Sequence, residues 1–272
     1  MPSGTRRRQK DFSFWGMAED WQFRTRMLIG DKGIERLASA RVVVAGAGGV
    51  GGYAAEMLVR AGVGHMLVID SDTVADSNRN RQILALKSTV GKAKCEVLAQ
   101  RLLDINHDLD LVTLQEYITP SYKSDGSPVE DPGPSSPVFL LGGRQIDFVV
   151  DAIDTVAPKL SLIKYCMDNH IPVVSSMGAG AKSDVTKIRI TDISKSYNCP
   201  LAHVVRKRMR RMGVPKGFKV VFSEELADTD AIVPCDELNK KSQVGSISYI
   251  PAVFGCACAQ AVVEGLLAGC RD

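Results

Sequence analysis

VVVAGAGGVGG, residues 42–52, is the stretch that decides the fold. Apolar, β-branched residues run into Gly46, Gly48, Gly49 and Gly51, and GYAAEMLVRAGV continues at helical spacing. A strand, a glycine turn and a helix in that order build a phosphate-binding end. The glycines allow a tight turn and let backbone N–H groups approach a phosphate at the positive end of the helix. Most loops of this kind bind NAD or FAD, so the loop alone does not name the nucleotide.

The residues that follow shift the reading toward ATP. HMLVID (65–70) is a second strand, and Asp70 at its tip suits ribose hydroxyls in NAD and ATP alike. DSDTVADSNRNRQ then supplies Asp72, Asn78, Arg81 and Gln82, and VGKAK supplies Lys94 at the start of the next helix. Two cations beside a phosphate loop are better used by a triphosphate than by a shared pyrophosphate. FVVDAID (148–154) is a further strand whose last residue, Asp154, falls on the same carboxyl edge of the sheet. Asp72 and Asp154 make a carboxylate pair for Mg2+, a hard cation that shares its shell with phosphates. The bland alternative makes Arg81 and Lys94 a solvated loop and helix face. The number of coinciding positions favours ATP and Mg2+.

Outward from this core, helices are predicted over 19–40 (broken at Gly30), 90–106 and 157–169, and strands over 109–118 and 172–178. Strand–helix alternation means a parallel sheet. The fold class is α/β: a Rossmann-like, mostly parallel sheet with helices on both faces, followed by a smaller α+β C-terminal part. Residues 18–183 form the ATP-binding region, and 184–272 form the C-terminal part of the same compact domain. That part has strands at 187–193 and 218–225, a basic helix at 200–213, an irregular polar segment at 226–247 and an apolar helix at 247–269. PSYKSDGSPVEDPGPSSP (120–137) reads as a disordered surface insertion. The first 17 residues read as a flexible basic tail without the apolar stretch of a secretory signal, and Met17 is an alternative start.

With 45% hydrophobic and 24% charged residues in 272, the composition is that of a soluble globular protein. The 247–269 helix has bilayer length, but Gln260 and Glu264 interrupt it, so a core or dimer-interface helix is expected and no membrane. Seven cysteines without a CxxC pair read as reduced thiols of a cytoplasmic protein. A net charge of +3 says little, but its distribution says more. Arg206, Lys207, Arg208, Arg210, Arg211, Lys216 and Lys219 put seven cations in fourteen residues, with His203 nearby and no acid. Such a block supplies phosphate contacts to nucleic acid. Its ordinary reading is a solvated helix face.

GAGGVG, DSDTVADSNRNRQ, VGKAK and DAIDT resemble the ubiquitin-activating-enzyme-like superfamily of adenylyltransferases, from about residue 20 to the end. RTRMLIGDKGIERL, the run from IPVVSSMGAGAK to PLAHVVRKRMRR, and GSISYIPAVFG resemble its tRNA threonylcarbamoyladenosine dehydratase branch. The resemblance implies roles. Asp70 would bind ribose. Asn78, Arg81 and Lys94 would contact phosphates, with Arg81 and Lys94 stabilising the leaving pyrophosphate. Asp154 would be the Mg2+-binding, catalytic aspartate. Arg24 would reach into the partner subunit's site of a homodimer, with Arg26 as the fallback.

Superfamily members adenylate a carboxylate. In the dehydratase branch it belongs to the threonine of N6-threonylcarbamoyladenosine in tRNA, which then cyclises with loss of water; a sulfur-transfer protein is a further possible partner. In the rival branch it is the C-terminal glycine of a ubiquitin-like sulfur carrier. Those enzymes usually carry a four-cysteine zinc site, for which this chain lacks the paired cysteines, so no zinc is expected. Cys235 is the tempting nucleophile, read here as an incidental thiol because no partner base is evident. An NAD-dependent oxidoreductase and a non-catalytic nucleotide-sensing RNA binder are the remaining rivals. SSMGAGAK (175–182) is read as a tight turn, with a border to substrate or to a monovalent cation as the alternative, and Lys182 as part of the basic surface.

Overall fold

A computed structural model describes residues 20–123, 125–237 and 240–270, so the tail expected over 1–17 lies outside the described residues. In chain order the elements are α1 (Phe23–Ala38), β1 (Arg41–Ala45), α2 (Gly51–Ala61), β2 (His65–Ile69), α3 (Lys94–Ile105), β3 (Asp110–Leu114), α4 (Pro137–Leu141), β4 (Phe148–Asp151), α5 (Val156–Asp168), β5 (Val173–Ser176), β6 (Ile188–Asp192), α6 (Pro200–Arg211), β7 (Lys219–Ser223), β8 (Ile232–Glu237), β9 (Lys240–Val244) and α7 (Tyr249–Leu266).

Seven strands form one sheet in the order β3-β2-β1-β4-β5-β7-β6. All neighbours are parallel except β6, which runs antiparallel to β7. This is the mostly parallel α/β arrangement that the strand–helix alternation predicts. Side chains alternate across each strand, so Val42 and Val44 of β1 enter one apolar layer and Val43 and Ala45 the other. The first layer packs under α2, α3 and α7 through Leu58, Leu98 and Phe254; the second packs under α4, α5 and α6 through Leu141, Ile163 and Val205. Because both faces of β1, β2, β4 and β5 are covered, these inner strands read as largely apolar runs. After β3 the chain returns to the other side of β1 to lay down β4. The carboxyl ends of β1 and β4 therefore flank the switch point where open α/β sheets bind ligands.

Several boundaries differ from expectation for local reasons. β4 stops at Asp151, not 154, because the Asp151 carboxylate accepts the Ile153 N–H at 3.1 Å and turns the chain out of the strand. β3 ends at Leu114, not 118. Residues 226–247 are not wholly irregular: β8 and β9 pair antiparallel, with an irregular register between Pro234 and Glu237. Pro234 and the polar composition of β9 hide the period-two signal. Gly30, at φ 75°, kinks α1 where the break was expected. The 120–137 segment carries a Tyr122–Pro128 bridge, and the Ser121 N–H donates to Ser161 Oγ at 2.6 Å. α7 is long and apolar enough for a bilayer, but Ile250, Phe254, Cys258, Ala261 and Val262 are buried against α2 and the sheet.

Candidate functional site

The glycine loop is built so that no side chain fits. Gly46 sits at φ +94°, and a Cβ there would lie 2.8 Å from the Ala152 carbonyl oxygen. A Cβ on Gly51 would lie 1.7 Å from the Gly46 carbonyl oxygen. The loop thus folds onto itself and against the β4–α5 connection. α2 starts at Gly51 with no side-chain N-cap; the Gly52 N–H donates to the Gly48 carbonyl at 3.1 Å, so the loop itself closes part of the first turn.

At the tip of β2, Asp70 Oδ2 accepts the Ala47 N–H at 2.6 Å, and Oδ1 accepts the Asp72 N–H at 2.8 Å. Burial pushes the Asp70 carboxyl above its ordinary range, against the pull of Lys94 and those two N–H groups. Lys94 opens α3, is 5% exposed, and holds Asp72 Oδ2 at 2.7 Å. A buried ammonium needs such a partner. Asp72 is therefore engaged with Lys94, its carboxylate still 65% exposed to a further ligand.

The crossover after β2 folds back over the glycine loop. The Asn78 carbonyl accepts the N–H groups of Arg81 and Gln82, and Asn78 Oδ1 accepts that of Ala75 at 3.0 Å. Arg81 packs beside Gly49: its Cγ would lie 3.4 Å from a Cβ there. Its guanidinium donates to the Ser77 carbonyl and Asn80 Oδ1, at 3.1 and 2.8 Å. Gln82 is buried, and its Oε1 has no hydrogen-bond partner among the described residues. Sequence reasoning missed the other wall. Asn80 Nδ2 donates to the Ser246 carbonyl at 3.0 Å, and Pro251 in the first turn of α7 would press on a Cβ at Gly49 from 3.1 Å.

Asp154 is exposed in the β4–α5 connection, two residues beyond the Ala152 that contacts Gly46. Among the described residues no cluster of three or more His, Cys, Asp or Glu is arranged to hold a metal ion. Three residues before Asp154 is a feature sequence reasoning did not pick out. Asp151 and Lys159 are both fully buried and 2.7 Å apart. The signal was there: an acid ending the apolar FVVD run needs an equally buried cation.

The two arginines proposed for reaching a partner differ in their surroundings. Arg26 binds Asp20 at 3.1 Å and Asp31 at 2.7 Å, whereas Arg24 is exposed and has no such engagement among the described residues. In α6, Ala202, Val205 and Met209 are buried. Lys207, Arg208, Arg210 and Arg211 are exposed, as are Lys216 and Lys219 beyond the helix. Arg206 differs: it donates to the Ser196 carbonyl at 2.7 Å and Ser196 Oγ at 2.8 Å, tying the helix to the preceding turn. Lys182 is not part of the basic surface. It is 6% exposed and its ammonium donates to the Glu225 carbonyl, because Glu225 is brought over the 175–182 turn. That turn has Ala181 at φ 56°, fixed by its N–H to the Gly245 carbonyl at 2.8 Å. The side chain of Cys235, in β8, lies outside what is described.

The ThiF family pattern matches residues 23–270. The chain is 38% identical over 252 residues to the tRNA threonylcarbamoyladenosine dehydratase of Bacillus subtilis, covering 90% of this chain and 93% of that one. It is similar in structure to the Escherichia coli tRNA N6-threonylcarbamoyladenosine dehydratase in complex with ATP. There the TM-score is 0.79 at 33% identity, over 93% of this chain and 98% of that one. The complex of the same enzyme with AMP matches at a TM-score of 0.78.

Proposed function

The chain belongs to the ThiF family, and from that premise we propose that it is an ATP-dependent tRNA threonylcarbamoyladenosine dehydratase. The observation that carries the reading is the near full-length likeness to proteins of that activity, in both sequence and structure. The nucleotide end agrees with it. An uncapped α2, Asp70 at the ribose position, and Arg81 and Lys94 beside the loop form a cradle for ATP.

In this reading the threonine carboxylate attacks the α-phosphorus of ATP and pyrophosphate leaves. Arg81 and Lys94 hold the charge that accumulates on the leaving group. Lys94 exchanges part of its contact with Asp72 for phosphate. The carbamoyl group then attacks the activated carbonyl carbon and gives up its N–H proton to solvent. AMP departs with the former carboxylate oxygen, and the nucleoside has lost one water. The protein supplies position and charge neutralisation, and no protein nucleophile enters. Asp154 would hold Mg2+, with Asp72, across β1 from it, as the second carboxylate, and the ion's charge would neutralise the phosphates.

Arg24 is the arginine we assign to the partner subunit's site in a homodimer. Its exposure supports this, as do the exposed Trp21, Met27 and Leu28 around it. We assign tRNA to the basic surface of α6, and hence the cytoplasm to the protein. A sulfur-transfer protein is the additional partner this reading admits. The test is mass-spectrometric nucleoside analysis of threonylcarbamoyl-modified tRNA after incubation with the protein and ATP–Mg2+, under mild digestion. The reading expects loss of one water with AMP and pyrophosphate formed. An unchanged nucleoside with ATP bound would overturn it in favour of adenylation of a carrier protein's C-terminus.

A further inference from the structure

Asp151, three residues before Asp154 in the chain, belongs to a closed set of buried hydrogen bonds. Lys159 Nζ donates to Asp151 Oδ2 at 2.7 Å, to the Ser176 carbonyl at 3.0 Å and to Ser175 Oγ at 3.2 Å, which uses all three of its protons. Ser175 Oγ donates to Asp151 Oδ2 at 2.5 Å, and Asp151 Oδ1 accepts the Ile153 N–H at 3.1 Å. Asp151 and Lys159 are 0% exposed and Ser175 is 0% exposed. The set ties together the carboxyl ends of β4 and β5, the first turn of α5, and the connection that carries Asp154.

Stability alone is a poor reason for such an arrangement. Two charges lose their hydration, and an apolar pair of the same volume is often as stable or more so. Lys159 also sits in the first turn of α5, where the helix dipole opposes a cation. What the set does that an apolar pair would not is fix direction. Asp151 sets the turn at Ile153 and so the exit of the chain toward Asp154. Through Ala152 it also braces the connection against Gly46 of the phosphate loop.

We propose that Asp151, Lys159 and Ser175 are positioning residues that hold the β4–α5 connection so that Asp154 faces the reacting phosphate. This rests on the role assigned to Asp154 above. Positioning errors near 1 Å cost on the order of a hundredfold in rate, which sets the size of the expected effect.

The test is a double-mutant cycle on the full chain, with Asp151→Asn/Lys159→Met as the charge-neutral pair and Ser175→Ala as the mild variant that leaves the ion pair in place. Single-turnover rate, KM for ATP and thermal stability are measured with Asp154 and again with Asp154→Asn. The expected result is a rate lower by about tenfold to a hundredfold for the pair, in the same direction and smaller for Ser175→Ala, with KM for ATP little changed. Once Asp154 is Asn, the same substitutions should cost no further rate. Equal losses in both backgrounds, or an unchanged rate in a folded variant, overturn the positioning role. If Asp154→Asn alone retains full rate, the failure lies instead in the role given to Asp154. If the pair does not fold, Ser175→Ala decides by the same cycle.

Discussion

Gly51→Ala is the substitution whose consequence can be worked furthest. The new Cβ would lie 1.7 Å from the Gly46 carbonyl oxygen, 2.9 Å from its carbon and 3.2 Å from Ala152 Cβ. A carbon and a carbonyl oxygen tolerate about 3.3 Å at closest, so about 1.6 Å of separation must open. The obstacle is backbone, so no side-chain rotation relieves it, and α2 has to move away from the loop. An N–H to phosphate bond tolerates only a few tenths of an ångström before it is lost, so the cradle is lost with the movement. Crowding of this kind costs about 1–3 kcal/mol, or roughly 2–12 °C of melting temperature for a domain of this size. The wild type at a hundred times its Kd for ATP gains about 2.7 kcal/mol from binding. The variant should gain almost none. Differential scanning calorimetry with and without ATP–Mg2+ reads both quantities. Gly213→Ala is the control: Gly213 has φ +81° with nothing within 4 Å of a Cβ, so it should lose about 1 kcal/mol to backbone strain yet keep the full ATP shift. A Gly51→Ala protein that keeps the wild-type ATP shift would refute the steric account of the loop.

Three further outcomes follow from other parts of the molecule. Arg24→Ala should abolish turnover while Arg26→Ala keeps it. Mixing Arg24→Ala with Asp154→Ala subunits should restore about a quarter of wild-type activity through hybrid dimers with one intact site; no recovery after subunit exchange would exclude action across the interface. Arg208→Glu/Arg210→Glu should raise the KM for tRNA and lower the salt slope of tRNA binding by about 2, leaving ATP affinity alone; Arg206 is unsuited to this test because it serves the fold. Glu56 is 3% exposed between Arg60 and Arg101. Burial raises its carboxyl pKa, but the hydrogen bonds from Arg101 and Arg60 outweigh that and hold it below the ordinary range. Its stabilisation is therefore complete above the unfolded pKa of about 4.3 and fades as pH falls through the lower folded value. Glu56→Gln should lose about 2 kcal/mol in urea unfolding at pH 7, with the gap narrowing in acid below about pH 4; a gap independent of pH would contradict the linkage.

The nucleotide end was legible because its constraints are local. Glycine at 46 and 51 answers backbone contacts within a few residues, and a parallel strand covered on both faces leaves an unbroken apolar run. What stayed hidden depends on residues that meet only in the folded chain. Lys182 looks like any surface lysine until Glu225, 43 positions on, arrives over it. Lys159 reads as one polar position of an amphipathic helix; only the parallel pairing of β4 with β5 brings Ser175 to close its set with Asp151. The end of β4 was misplaced because hydrophobicity continues through Ala152 and Ile153 while the Asp151 side chain has already turned the backbone. Arg24 and Arg26 are equivalent in sequence, and the acids at 20 and 31 separate them.

The placement of α6 bears on how the two halves of the site divide their work. Its first turn lies at the carboxyl edge: Cys199 Sγ would touch a Cβ on Gly178 at 3.6 Å, and Asn198 Nδ2 donates to the Glu224 carbonyl just past β7 at 2.9 Å. From there the helix runs toward the amino edge, where β7 begins at Lys219. Twelve residues carry it about 18 Å. The exposed cations begin halfway down, so they lie progressively farther from the nucleotide loop, and the 120–137 segment flanks their far end, a Cβ on Gly126 lying 2.8 Å from Met212 Cα. Under the proposed tRNA assignment, phosphates bound there would belong to parts of the RNA remote from the reacting nucleoside. They would be held equally before and during reaction, which would lower KM without changing kcat. In the proposed function the charges at the carboxyl edge would act on groups that change in the reaction, and would govern kcat. A loss of turnover on neutralising the α6 cations, with KM for tRNA unchanged, would mean that this division is drawn in the wrong place.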